Sequence, residues 1–169
     1  MKAKTTFWMH AAMIAAIYTA LTVLFRPISY GMIQVRVSEA LTVLPFLTPA
    51  AIPGLAVGCL IANIIGPYGL VDIVVGTAAT TLAAFMSSKM RRRWLVPLPP
   101  VVVNAVMIGA MLYYLFLGSP DQAPIWIMML WVGVGQMAAC YGLGYPLLLL
   151  LEKYRNRIFS RTVDHQTHQ

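Results

Sequence analysis

The sequence predicts an all-α integral membrane protein of six transmembrane helices with both termini in the cytoplasm. Three observations carry that expectation. Of 169 residues, 60% are hydrophobic and only 10% charged, whereas a soluble domain carries about a quarter charged residues. No soluble fold of this length could cover so much apolar surface and keep a wettable exterior. The apolar residues come in runs long enough to cross a hydrocarbon core of about 30 Å. Finally, the net charge of +7 is gathered in short clusters between those runs. That is the pattern of cytoplasmic loops facing anionic lipid, and it removes nucleic acid as the reason for the basicity.

The first span is expected at about 7–25, behind Lys2 and Lys4. The run is long for the core of a signal peptide, and no clean small-residue cleavage site follows it. Ala12, Ala16 and Ala20 recur at four-residue spacing, with Ala11 and Ala15 beside them. Such a stripe allows another helix to approach closely, either within this chain or from a partner. The stretch 37–65 is too long for one span and short for two. Charge does not decide it: six spans with the N-terminus inside place ten basic residues inside and leave Arg26 and Arg36 outside, and five spans with the N-terminus outside again give ten against two. Proline decides. Pro45, Pro49 and Pro53 fall four residues apart, and three successive lost donors would strand several carbonyls in one helix. The prolines therefore predict a turn near 48–52 between spans at about 36–48 and 52–66. Gly54, Gly58 and Ala62 form a small-residue stripe for internal packing on the second of these. Apolar runs at about 70–88, 97–117 and 124–151 complete the six. The external connections would be 26–36, rich in turn residues including Gly31, then 66–69, and 118–124 with Asp121. The tail 162–169 reads as flexible, leaving 1–161 as a single transmembrane domain.

A charge at membrane depth costs about 2.5–3.5 kcal/mol on insertion scales, so each one needs a reason. Arg36 and Glu39 stand three residues apart and would share a helical face, where they can pair with each other or read a ligand. Asp72 opens the fourth span, where it can cap the helix N-terminus or bind. Asn63, Asn104 and Gln136 place amides in the third, fifth and sixth spans. Each could simply bond another helix, but three amides and two carboxylates on five helices converge only around a polar cavity. Tyr30, Tyr68, Tyr113, Tyr114 and Trp126 fall toward the outer face, where an aromatic belt accounts for them and stacking on a ligand is the alternative.

No phosphate-binding loop, HExxH, GxSxG or metal-ligand spacing occurs. The expected protein therefore has no catalytic residues, no metal and no cofactor. Cys59 and Cys140 lie in separate apolar runs and read as small packing residues; the lone His10 reads as structural. No inverted repeat of a self-sufficient transporter is visible.

The segment IQVRVSEALTVLP at 33–45, followed by TPAAIPGL at 48–55, GCLIAN at 58–63 and GLVDIV at 69–74, closely resembles the QueT family. These proteins are S components, the substrate-binding subunits of energy-coupling factor (ECF) importers, assigned to queuosine precursors. The likeness is specific over most of residues 10–90; the last two spans match less sharply. It implies an S-component-like six-helix bundle in the bacterial plasma membrane that captures 7-deazapurines such as preQ0, preQ1 or queuine from outside. It implies a pocket near the outer surface closed by the first external loop, with Arg36, Glu39, Asn63, Asp72, Asn104, Gln136, Tyr30 and Tyr68 as candidate ligand contacts. Glu39 or Asp72 would accept from the guanine-like edge. It also implies docking through Ala12, Ala16 and Ala20 onto a transmembrane T component that works with two cytoplasmic ATPases. An S component for another vitamin or nucleobase is the alternative, and a structural membrane subunit without a ligand is a further one.

Overall fold

A computed structural model describes residues 2–30, 34–120 and 123–154. Gly31, Asp121 and the tail 162–169 lie outside the described residues. Among those described, the chain is helical throughout: α1 (Lys2–Leu24), α2 (Arg26–Ser29), a 3-10 helix (Val37–Phe46), α3 (Ala51–Ile65), α4 (Gly69–Ser88), a 3-10 turn (Arg93–Leu95), α5 (Leu98–Leu115), α6 (Ile125–Met137), a π-helical stretch (Ala138–Gly144) and α7 (Tyr145–Lys153). The last three run on as one apolar segment, Ile125–Lys153. With α1, α4 and the segment ending in α5, that makes four helices long and apolar enough to cross a membrane. Large apolar side chains such as Trp8, Leu24, Leu70, Val74, Tyr114, Trp126 and Leu130 face outward, as expected where lipid is the solvent.

The segment expected as an ordinary second helix differs. Val37–Phe46 is a 3-10 helix of ten residues, spanning about 20 Å, and α3 covers about 22 Å. Both are shorter than the four long helices. Pro45 gives a physical reason: in an α-helix its ring would clash with the Leu41 carbonyl. The Thr42 hydroxyl donates to the Glu39 carbonyl at 2.6 Å, a three-residue reach that suits the tighter spiral. The chain turns at Leu47–Ala50, and α3 begins at Ala51. Pro53 therefore sits in the first turn of α3, where its missing N–H costs nothing.

The 3-10 helix is the central element. Ser38, Glu39, Ala40, Thr42, Val43, Leu44 and Pro45 are buried, and the helix touches α1, α3, α4, the π stretch and α7. Around it the packing relies on glycine. A Cβ on Gly54 would meet the Ala11 carbonyl oxygen at 2.7 Å, and one on Gly58 the Ala15 oxygen at 2.9 Å. The Gly54/Gly58/Ala62 stripe of α3 thus seats against Ala11 and Ala15 of α1, and this contact is internal. Ala12, Ala16 and Ala20, on the other side of α1, are exposed. In the same way α5 meets the next helix at Gly109, where a Cβ would lie 2.6 Å from the Met129 Cα.

Candidate functional site

In a 3-10 helix, residues three apart eclipse one another, so Glu39 and Thr42 stack on one side, with Arg36 just before the helix. Each meets polar groups from the surrounding helices, forming a ladder of three buried rungs.

At the first rung, Arg36 is fully buried and reaches Asp72 of α4. Its Nη2 lies 3.3 Å from Oδ1 and 3.5 Å from Oδ2. Its Nη1 donates to Asn63 Oδ1 of α3 at 3.4 Å, and Asn63 Nδ2 donates to the Asp72 carbonyl at 2.9 Å. The guanidinium lies over the Tyr30 ring at 5.4 Å, a cation–π contact that partly replaces water. Tyr30 in turn donates to the Ala62 carbonyl at 2.7 Å, and the Tyr68 hydroxyl donates to the Tyr30 carbonyl. The Tyr30 and Tyr68 rings pack edge to face at 6.2 Å, covering the ion pair from the connection side. Burial raises both phenol pKa values, so both remain neutral donors. Gly76 keeps the rung open from below: a Cβ there would lie 2.5 Å from Asn63 Nδ2 and 2.8 Å from Asp72 Oδ1.

The second rung is Glu39, whose side chain is completely buried. Oε1 accepts from the Tyr18 hydroxyl of α1 and from Thr80 Oγ1 of α4 at 3.1 Å. Oε2 accepts from Asn104 Nδ2 of α5 at 3.3 Å. Beside it, Thr22 donates to Ser38 Oγ at 2.6 Å. At the third rung Thr42 Oγ1 and Cys140 Sγ are 3.9 Å apart, and the Cys140 thiol points to Gln136 Oε1 and to the Glu39 carbonyl, each at 3.6 Å.

All eight sequence-predicted ligand contacts are thus gathered in one connected network. Two of the simpler readings do not hold. Arg36 and Glu39 form no ion pair with each other. Arg36 precedes the helix with extended backbone (φ −82°, ψ 100°), so its side chain leaves toward Asp72 instead. The Asp72 carboxylate makes no capping bond to the start of α4; it faces Arg36. Cys59 and Cys140 are buried free thiols packed in the interior as expected, and their sulfurs also touch polar groups, Cys59 lying 3.3 Å from Thr80 Oγ1 and 3.4 Å from Asn63 Nδ2. Tyr114 and Trp126 point outward, as belt residues do. Sequence reasoning missed Tyr18 and Thr80 as carboxylate partners. The signal for Thr80 was its spacing: Asp72, Gly76 and Thr80 recur every four residues along one face of α4.

The network's position along the bundle is set by α4. Asp72 lies in its first turn, while Ser88 and the basic cluster from Lys89 to Arg93 close its far end, about 24 Å away. The first rung therefore sits at the end of the molecule opposite that cluster.

A family model described as QueT transporter matches residues 8–153, nearly the whole chain. The chain belongs to the QueT transporter family. The family is one of transporters, and the four long apolar helices fit a multi-pass membrane protein. A relative from Lactococcus lactis subsp. cremoris (strain MG1363), named Queuosine precursor transporter QueT, is 38% identical over 81 residues. That alignment covers 47% of this chain and 47% of the relative, so the chain spans about half the length of the curated relative it matches. No solved structure matches the chain.

Proposed function

We propose that this protein is the substrate-binding S subunit of an ECF-type importer in the cell membrane, taking up queuosine precursors of the 7-deazapurine class. In this reading the chain crosses the membrane six times with both termini cytoplasmic. A T component docks on Ala12, Ala16 and Ala20, and two ATPases supply the energy. The name of the relative supports the ligand class. The basic cluster at one end of α4 supports an orientation with Asp72 toward the outside.

The observation that carries the reading is the buried network of Arg36, Asp72, Asn63, Glu39 and Asn104 in an otherwise apolar bundle. Such groups are expensive in lipid and mark substrate sites. Two of the charged contacts are also long. Charge-assisted N–H···O bonds usually close to about 2.7–2.9 Å, whereas Arg36–Asp72 and Asn104–Glu39 stand at 3.3 Å. A ligand offering better-placed donors can exchange for them, as an exocyclic amine would at a carboxylate.

Glu39→Gln tests this. Glutamine keeps acceptors for Tyr18 and Thr80 but turns an NH2 group toward Asn104. The purified variant should fold and lose 7-deazapurine affinity by about tenfold or more, the effect of losing one charged hydrogen bond. Titration calorimetry in detergent reads it, and unchanged affinity would remove Glu39 from the site.

A further inference from the structure

The inner rungs of the ladder are hydrogen-bonded, whereas several buried polar atoms in the chain just before them are not. Gln34 is 1% exposed, yet neither Nε2 nor Oε1 of its side chain has a partner among the described residues. Arg36 Nε, two residues on, and the buried Ser29 hydroxyl in α2 are idle as well. Folded proteins pair the great majority of their buried polar atoms. A primary amide with its donors and its acceptor all unused stands well outside that rule. The backbone adds a second, independent sign. Gln34 holds φ 46°, a left-handed conformation that costs a non-glycine residue and recurs at ligand sites where surrounding structure enforces it. The Arg36 amide donates to the Gln34 carbonyl at 2.9 Å, a tight turn that fixes the two residues against each other. By contrast, Glu39, Asn63, Asp72, Thr80 and Asn104 already have partners in this state.

We infer that the Gln34 carboxamide, with the Arg36 Nε–H beside it in the chain, is the ligand-reading edge of the site, and that its complement is a lactam. A carboxamide offers an N–H donor next to a C=O acceptor; a ring lactam offers the same pair reversed, so the two close a double hydrogen bond. The inference rests on the ligand-binding reading above and adds to it the residue that recognises the heterocycle and the chemical feature recognised. Glu39 and Asp72 remain for amino groups, which a carboxylate accepts and a lactam carbonyl does not offer.

The test is Gln34→Met, an unbranched replacement of similar length without polar groups. In the ligand-free protein it removes an unsatisfied buried amide, so the melting temperature should rise or hold. A fall would mean that the amide is paired in the protein and would overturn the proposal. Binding is then read with 7-deazaguanine and its O6-methyl ether, which lacks the ring N–H and carbonyl pair. The native protein should prefer 7-deazaguanine by about tenfold or more, and Gln34→Met should bring that preference close to one. A preference kept by the variant overturns the proposal. If the native protein binds neither compound, the deazapurine assignment is what fails. The ligand-free melting comparison still judges Gln34, and other lactam heterocycles, such as hypoxanthine and uracil, replace the probe.

Discussion

Truncating Asp72 to alanine would leave the Arg36 guanidinium with only the Asn63 amide oxygen at 3.4 Å and the face of Tyr30. Water cannot make up the loss, because Arg36 is fully buried. Breaking a buried pair from one side costs about 3–5 kcal/mol, mostly for the charge left behind, whereas replacing both partners by apolar groups is often close to neutral. Asp72→Ala should therefore lower unfolding stability in detergent by that amount, and Arg36→Leu combined with Asp72→Leu should recover much of it. Denaturant or thermal unfolding of the two variants checks the asymmetry. Equal losses would mean that the ion pair contributes stability in itself and is not tolerated for the sake of the site. Residue-scale chemistry also explains what could be foreseen. Arg36, Glu39, Asn63, Asp72, Asn104 and Gln136 stood out because a charge or amide in an apolar run is costly wherever it lies. Tyr18, Thr80 and Gln34 did not. Hydroxyls are routine in membrane helices, and Gln34 lies in a connection where a polar residue needs no explanation until its burial is known.

At the scale of elements, the long apolar runs were legible because their length alone calls for helix, and the proline spacing marked where the chain turns. The 3-10 character of Val37–Phe46 was not legible. Burial on nearly every side removes the amphipathic signal that would separate a period of 3.0 from one of 3.6. The π-helical stretch Ala138–Gly144 left no mark for a similar reason, although it carries Cys140 to the Glu39 carbonyl and brings Gly144 against the backbone of Ala40, where a Cβ would lie 3.0 Å from the carbonyl oxygen. The α1–α3 contact was half legible: the small-residue stripes were plain, but not which alanines met which glycines. That contact now makes its own prediction. A Cβ on Gly58 would lie 2.9 Å from both the Ala15 oxygen and the Tyr18 Cβ, so Gly58→Val must push α1 away. Overpacking of this kind costs about 1–3 kcal/mol. Because Tyr18 donates to Glu39, the displacement should also weaken ligand binding although Gly58 lines no part of the network. Parallel melting and titration of Gly58→Val measure both losses; lost stability with full affinity would separate the α1 seat from the site.

On the proposed reading the first helix is divided between two tasks. Ala11 and Ala15 are consumed by α3, so the face available to another subunit is the one carrying Ala12, Ala16 and Ala20. Next to it runs a shallow apolar groove lined by Trp8, Ala11, Ala12, Ala15, Pro53 and Val57. A helix laid along that face could approach closely, as small residues permit in lipid, where packing and not the hydrophobic effect drives association. The polar network is on the opposite side of α1, reached through Tyr18, which is why the two functions should be separable by mutation. Ala16→Trp adds bulk only to the outer face. It should leave the melting temperature unchanged and 7-deazapurine affinity within about twofold of the native protein, while reducing co-purification with a T component and its ATPases and abolishing uptake. Ala15→Trp is the informative partner, since it drives the same ring into the Gly58 contact and should impair folding before any docking is measured. If Ala16→Trp assembled and transported normally, the partner would have to meet another surface of the bundle, and the alanine stripe would belong to lipid.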